Sequence, residues 1–182
     1  MPRPRSAAAD TAILDAARRL FGEGGLGAVT VEAVARRAGV GKQTVYRRYA
    51  DRNAVLAAAW LEVAEGEVVV PESADPERDL ALFLKRLFGA FGANAEPLRS
   101  LMAQAQFEPE LRQTLRAAFI DRRRATLADL LRRLAPGASQ ADVGAVVDMA
   151  FGAMWYRLLV GHDTPGPALA RRLAKLASAA LA

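Results

Sequence analysis

Residues 42–49, KQTVYRRY, collect side chains suited to reading a surface rather than to running a reaction. A Gln amide can pair with adenine, Lys or Arg can donate to guanine, and a Thr methyl can meet the thymine methyl. On a helix, Val45 and Tyr49 lie four positions apart and share one face, leaving Lys42, Gln43, Thr44, Tyr46 and Arg47 to the other. Residues that could carry catalysis are scarce. The chain has no cysteine, which removes thiol nucleophiles, thiolate zinc sites and disulfides. Its one histidine, His162, falls at a helix end, where a C-capping role suits it. There is no HExxH, no nucleophile elbow and no ExxH carboxylate pairing. GKQT at 41–44 is not a P-loop, because Thr does not directly follow Lys and the glycine spacing is wrong. The expectation is a protein without catalytic residues, metal or cofactor, and not an enzyme.

Charge placement points to what that surface reads. The chain of 182 residues carries a formal charge of +5. Through Arg52 there are ten basic side chains against five acidic ones, and the rest of the chain is neutral. A basic excess confined to one segment is the footprint of a phosphate-binding module. Arg36, Arg37, Arg47 and Arg48 would serve equally as an ordinary solvated face, so the type and spacing of their neighbours must decide.

The elements that hold these residues are helical. Ala, Leu and Arg dominate, and β-branched residues are sparse, apart from a short VVV at 68–70. Ser6 is a plausible N-cap for a first helix to about Gly22, with Ile13, Ala16, Ala17, Leu20 and Phe21 at helical spacing. Thr30 caps a second helix, VEAVARRA, and Gly39-Val40-Gly41 turns the chain into KQTVYRRY. Two short helices joined by a glycine-containing turn make a helix-turn-helix. Asp51 can cap a fourth helix, and prolines at 76, 97, 109, 136, 165 and 167 then mark helices over about 77–94, 97–106, 109–134, 139–161 and 167–181. The implied protein is all-α, with about nine helices. A three-helix bundle over 1–52 is followed by a helical domain over 53–182. No leader is recognisable in MPRPRSAAAD, and no apolar run is read as long enough to span a membrane. VGAVVDMAFGAMWY is interrupted by Asp148 and reads as a buried helix. These features fit a cytoplasmic protein with no membrane partner.

Residues 25–56, GLGAVTVEAVARRAGVGKQTVYRRYADRNAVL, resemble the TetR family of bacterial transcriptional regulators. The resemblance is carried by Thr30, the Ala38-Gly39-Val40 turn, Tyr46, Tyr49 and Arg52. More weakly, DMAFGAMWYRLLVGHDTP is similar to one C-terminal subgroup of that family. Two positions depart from the pattern: Gly41 stands where Ser or Thr is usual, and Arg52 where Lys is usual. The resemblance implies a repressor that binds a palindromic DNA operator as a homodimer and is released by a small, lipophilic effector. Gln43, Thr44 and Arg47 are then the candidates for base contacts. Thr30, Lys42, Tyr46 and Arg52 are the candidates for phosphate, and Arg3 and Arg5 for an N-terminal arm. A nonspecific DNA-coating protein is the competing reading, which competition with random DNA would separate.

The C-terminal part must do more than fill space. Helix 139–161 carries Val143, Val146, Val147, Ala150, Phe151, Met154, Trp155, Leu158 and Leu159, an apolar face too broad for one neighbour. A partner subunit is the simplest second contact. The resemblance implies that this helix and 167–181 form a four-helix interface with their twins, through Val147, Phe151, Trp155, Leu169, Leu173 and Leu176. An effector pocket would fall among the helices from 53 to 134, closed by 139–161. Its candidate lining is Trp60, Phe88, Phe91, Met102, Gln106, Phe119, Trp155 and Tyr156, each aromatic being equally suited to a plain core. Gln106 and Asn94 are polar among apolar neighbours. The run Arg122-Arg123-Arg124 reads as solvated, with Arg123 a candidate for an acidic effector.

Overall fold

The computed structural model describes residues 7–67, 70 and 72–181, and only the backbone at positions 61, 63–67, 118 and 119. Ser6, Arg3, Arg5 and the side chain of Phe119 lie outside the described residues, as do two of the three valines at 68–70. Among the described residues the structure holds ten α-helices and no strand. They are α1 (Ala7–Ala28), α2 (Val31–Arg37), α3 (Lys42–Tyr46), α4 (Arg52–Glu67), α5 (Pro76–Ala93), α6 (Ala95–Phe107), α7 (Pro109–Leu115), α8 (Asp121–Leu134), α9 (Gln140–Val160) and α10 (Pro167–Leu181).

The count exceeds the expected nine because 109–134 is not one helix. A π-helical turn, Arg116–Ile120, separates α7 from α8. Nothing in the spacing of apolar residues signals the extra residue that such a turn inserts. The helices pack as two units whose border is not at 52/53. One unit is Met1–Val63 with Ser100–Phe119; the other is Ala64–Arg99 with Ile120–Ala182.

In the first unit, Ile13, Ala17, Phe21, Val34, Val45, Val55 and Leu56 form a core that also takes in Leu101, Ala105, Leu111 and Leu115. The C-terminal half of α6 and α7 therefore belong with the first helices, because their apolar residues complete that core. Regular α1 stops at two glycines: Gly25 has φ +63°, and a Cβ on Gly24 would lie 2.8 Å from the Ala28 methyl. Leu26 and Val29 can then turn inward ahead of α2. Trp60 packs edge-on against Phe21, with ring centroids 6.3 Å apart. Arg18 ties α1 to α4 by donating to the Ala59 carbonyl at 3.0 Å and to Glu62 at 2.9 Å.

In the second unit, α5 packs against α8, α9 and α10. Asp75 caps α5 by accepting from the Arg78 N–H at 3.0 Å, with Pro76 in the first turn. Ser139 caps α9 in the same way, and Gly161, with φ +73°, ends it. Gly161 is thus the C-cap, and His162 instead lays its ring against Tyr156, 4.9 Å between centroids. Asp79 is buried, accepting from the Ser73 N–H and Oγ–H, each at 2.7 Å, and from Arg133 at 3.0 Å. These bonds, led by the one from the Ser73 backbone, hold its carboxyl below the ordinary carboxylate range.

Two expectations are corrected, one about exposure and one about helix length. Arg123 is 7% exposed rather than solvated, while Arg124 reaches Asp148 at 2.6 Å. By length and composition, α9 is the one helix among the described residues that could cross a membrane. Its Asp148 ion pair and its packing against α5, α8 and α10 nonetheless match a core helix of this unit.

Candidate nucleic-acid interface

Thr30 sets the start of the site. Its backbone is extended and its hydroxyl accepts from the Ala33 N–H at 3.0 Å, so α2 begins at a fixed residue. Gly39 adopts φ +67°, a conformation that side chains other than glycine rarely take, and turns the chain within three residues. The Val40 N–H donates to the Ala35 carbonyl at 3.0 Å, closing the turn. Gly41 then caps α3 without a side-chain bond.

Regular α3 ends at Tyr46, sooner than the run KQTVYRRY suggested, and a turn through Arg47 and Arg48 follows. Helix-like bonds persist there, since the Tyr49 N–H donates to the Val45 carbonyl at 2.9 Å. Val45 is fully buried and Tyr49 packs against the same core, as their spacing implied. On the other face Lys42, Gln43, Tyr46 and Arg47 are exposed and Thr44 is half-buried. Tyr46 shows 54% of its surface. The apolar contacts thus fix α3 through one face and leave the other open.

Arg48 does not belong to that open face. Its Nε donates to Asp10 at 2.6 Å and its Nη1 to the Thr44 carbonyl at 3.2 Å, pinning α3 to α1. Three other cations around the site also meet carboxylates. Lys42 pairs with Glu32 at 2.9 Å, Arg37 with Glu23 at 2.6 Å, and Arg52 with Glu108 at 3.1 Å. Hydrogen bonds from Lys42 and Arg37 hold the carboxyls of Glu32 and Glu23 below the ordinary glutamate range. Arg47 is exposed and has no ion pair among the described residues. The arrangement presents hydrogen-bonding groups and positive charge at the tip of a short helix, the combination that suits a nucleic-acid groove.

The expected pocket residues divide between the units. Trp60 is core and Met102 packs beside it in the first, where Gln106 is exposed and bonded to its own helix. In the second unit Phe88 and Phe91 are buried, and Phe91 meets Trp155 edge-on with centroids 5.3 Å apart. Asn94 ends α5, its side-chain amide donating to the Ala90 carbonyl at 2.8 Å. Tyr156 is exposed. An apolar cavity of the second unit, lined by Leu80, Leu84, Leu127, Leu131, Val146 and Met149 among others, includes none of the expected lining residues.

Half of the expected dimer residues need correction as well. Val147, Phe151 and Leu169 are buried inside their own unit, while Trp155 and Leu173 are partly exposed and Leu176 is open. The outward apolar residues of α9 are Met149, Tyr156, Leu159 and Val160. Because α9 carries apolar residues on most of its circumference, periodicity could not tell its inner face from its outer one.

Comparison with known proteins gives these features a context. Residues 13–59 match the model for bacterial regulatory proteins of the tetR family, and residues 70–177 match the tetracyclin repressor-like C-terminal domain. The HTH-type transcriptional regulator YdeS of Bacillus subtilis (strain 168) is 30% identical over 176 residues, covering 94% of this chain and 88% of that protein. Among solved structures, the TetR family transcription regulator SCO0332 is similar with a TM-score of 0.72 at 24% identity, over 96% of this chain and 98% of the other. FadR of Bacillus subtilis, crystallised with stearoyl-CoA, is similar with a TM-score of 0.67 at 20% identity, over 94% and 99%.

Proposed function

The chain belongs to the TetR family of bacterial transcriptional regulators, and from that premise we propose that it is a repressor, a homodimer that grips a palindromic operator with two copies of α3 and releases it when a small lipophilic molecule binds. As a member of that family it is a helix-turn-helix DNA-binding regulator and not an enzyme. The observation that carries the finer reading is α3, anchored by buried Val45 while Gln43, Tyr46 and Arg47 stand outward. In this reading Gln43, Thr44 and Arg47 read bases, and Thr30, Lys42, Tyr46 and Arg52 hold phosphates. A single short helix reads too few bases for specificity. Two copies would meet half-sites about one helical turn, roughly 34–36 Å, apart.

The twin is proposed to dock on the exposed apolar residues of α9 with Leu176 of α10, giving a four-helix interface. A lipophilic effector is favoured by the stearoyl-CoA bound to the structurally similar FadR. Ligand can weaken DNA binding only by its preference for a dimer geometry that fits the operator poorly. The place of action would be the cytoplasm, where the DNA is.

A gel shift on the intergenic DNA beside the protein's own gene tests the proposal. The expected result is a discrete shift that survives a large excess of random DNA, with a dimer found in solution. Binding no tighter than to random DNA would refute operator recognition.

A further inference from the structure

Arg52 opens α4 and is, in the reading above, a phosphate contact. In the free protein it already holds an anion: its Nη2 donates to both carboxylate oxygens of Glu108, at 3.1 and 3.3 Å. Glu108 stands at the junction of α6 and α7. Its N–H donates to the Gln104 carbonyl at 3.1 Å, and its own carbonyl accepts from the Arg112 N–H at 3.0 Å. It occupies the N-cap position of α7, yet its side chain makes no capping bond. The carboxylate instead reaches an arginine 56 positions earlier in the sequence. The neighbouring Lys42–Glu32 pair differs, because both partners lie within the helix-turn-helix and move with it. Arg37 and Arg48 meet acids of α1, the neighbouring helix in sequence, whereas Glu108 is brought to the face from the distant α6–α7 junction.

We propose that Glu108 is a positioning residue for DNA binding: its carboxylate occupies Arg52 in place of a backbone phosphate, which lowers DNA affinity and links the α6–α7 junction to the DNA face. The proposal rests on Arg52 being a phosphate contact. Carboxylate and phosphate are both oxyanions that suit a guanidinium fork. An arriving phosphate must therefore displace Glu108 or lie beside its negative charge. Both side chains are more than a third exposed, so the pair is weak and Glu108 tunes affinity rather than switching it. The coupling is reciprocal. DNA frees Glu108, and any change that draws the α6–α7 junction away frees Arg52.

The test uses the full chain and a fluorescein-labelled duplex of random sequence, with binding followed by anisotropy over a KCl series. Glu108→Gln, which keeps the shape and removes the charge, should bind about two- to fivefold tighter at low salt, with the gain fading as KCl rises. Arg52→Gln should weaken binding, and Glu108→Gln should add nothing in that background. Should the Gln variant fold poorly by circular dichroism, Glu108→Ser, which can cap α7, carries the same expectation. A folded Glu108 variant that binds no tighter than wild type overturns the proposal, as does a gain that persists without Arg52. Wild-type protein that ignores the duplex at every salt would refute the DNA-binding reading itself. Wild-type binding with no effect of Arg52→Gln overturns this inference alone.

Discussion

Gln43 and Arg47 differ from the other polar residues of α3 in what their loss should do. An exposed side chain that reads a base edge contributes discrimination, about 1–3 kcal/mol for a good pair. Gln43→Ala or Arg47→Ala should therefore weaken operator binding about tenfold or more, as read by gel shift. Random DNA should lose little with Gln43→Ala and more with Arg47→Ala, which also removes a charge. Gly41 offers the opposite kind of change. Its φ of −73° suits any residue, and a Cβ there meets nothing within 4 Å. Gly41→Ser should add the missing cap and raise stability by a few tenths of a kcal/mol, measured by thermal melting. At this scale the sequence was informative. Thr30, Asp51, Val45 and Tyr49 take the places that local chemistry assigns them. The partners of Arg48 and Arg52 were not legible, because Asp10 and Glu108 lie 38 and 56 positions away and nothing local marks the pairing.

Among the elements, α9 departs most from its expected orientation. Val147 and Phe151 face inward, and Met149 and Tyr156 face out. Met149→Glu with Tyr156→Glu should leave the subunit folded while turning dimer into monomer in sedimentation equilibrium. Val147→Asp should instead cost folding, since a carboxylate would be buried without a partner. The opposite pattern would place the interface on Val147 and Phe151. Most other helices were readable from prolines and apolar spacing, but their exact ends were not: Asp75, Ser139 and Gly161 set them by local bonds, and the sequence pointed to His162 in place of Gly161. The π-helical turn at Arg116–Ile120 was not readable, since it leaves the composition of a helix unchanged.

For the molecule as a whole, the sequence placed the border at 52/53, where the charge pattern changes. Packing moves it, because Leu101, Ala105, Leu111 and Leu115 bury their side chains with those of α1 and α4. Charge follows sequence order and core formation does not, so only the first was visible beforehand. Global stability should carry an acid limb from Asp79. Its carboxyl, held below the ordinary aspartate range, stabilises the fold above the unfolded pKa, and this contribution is lost as pH falls through the folded value. Thermal melting should show stability declining below about pH 4. Asp79→Asn should be less stable than wild type at neutral pH, by several degrees, and should flatten that acid decline.

The bond from Arg48 to Asp10 has an effect on timing. A five-residue helix has no independent persistence, so α3 endures only through its tertiary contacts, Val45 and Tyr49 in the core and the Arg48 splint to α1. Transient fraying of the first turns of α1 would loosen the C-terminal end of α3 while Val45 stayed packed. Amide exchange at the end of α3 should therefore follow the breathing of α1.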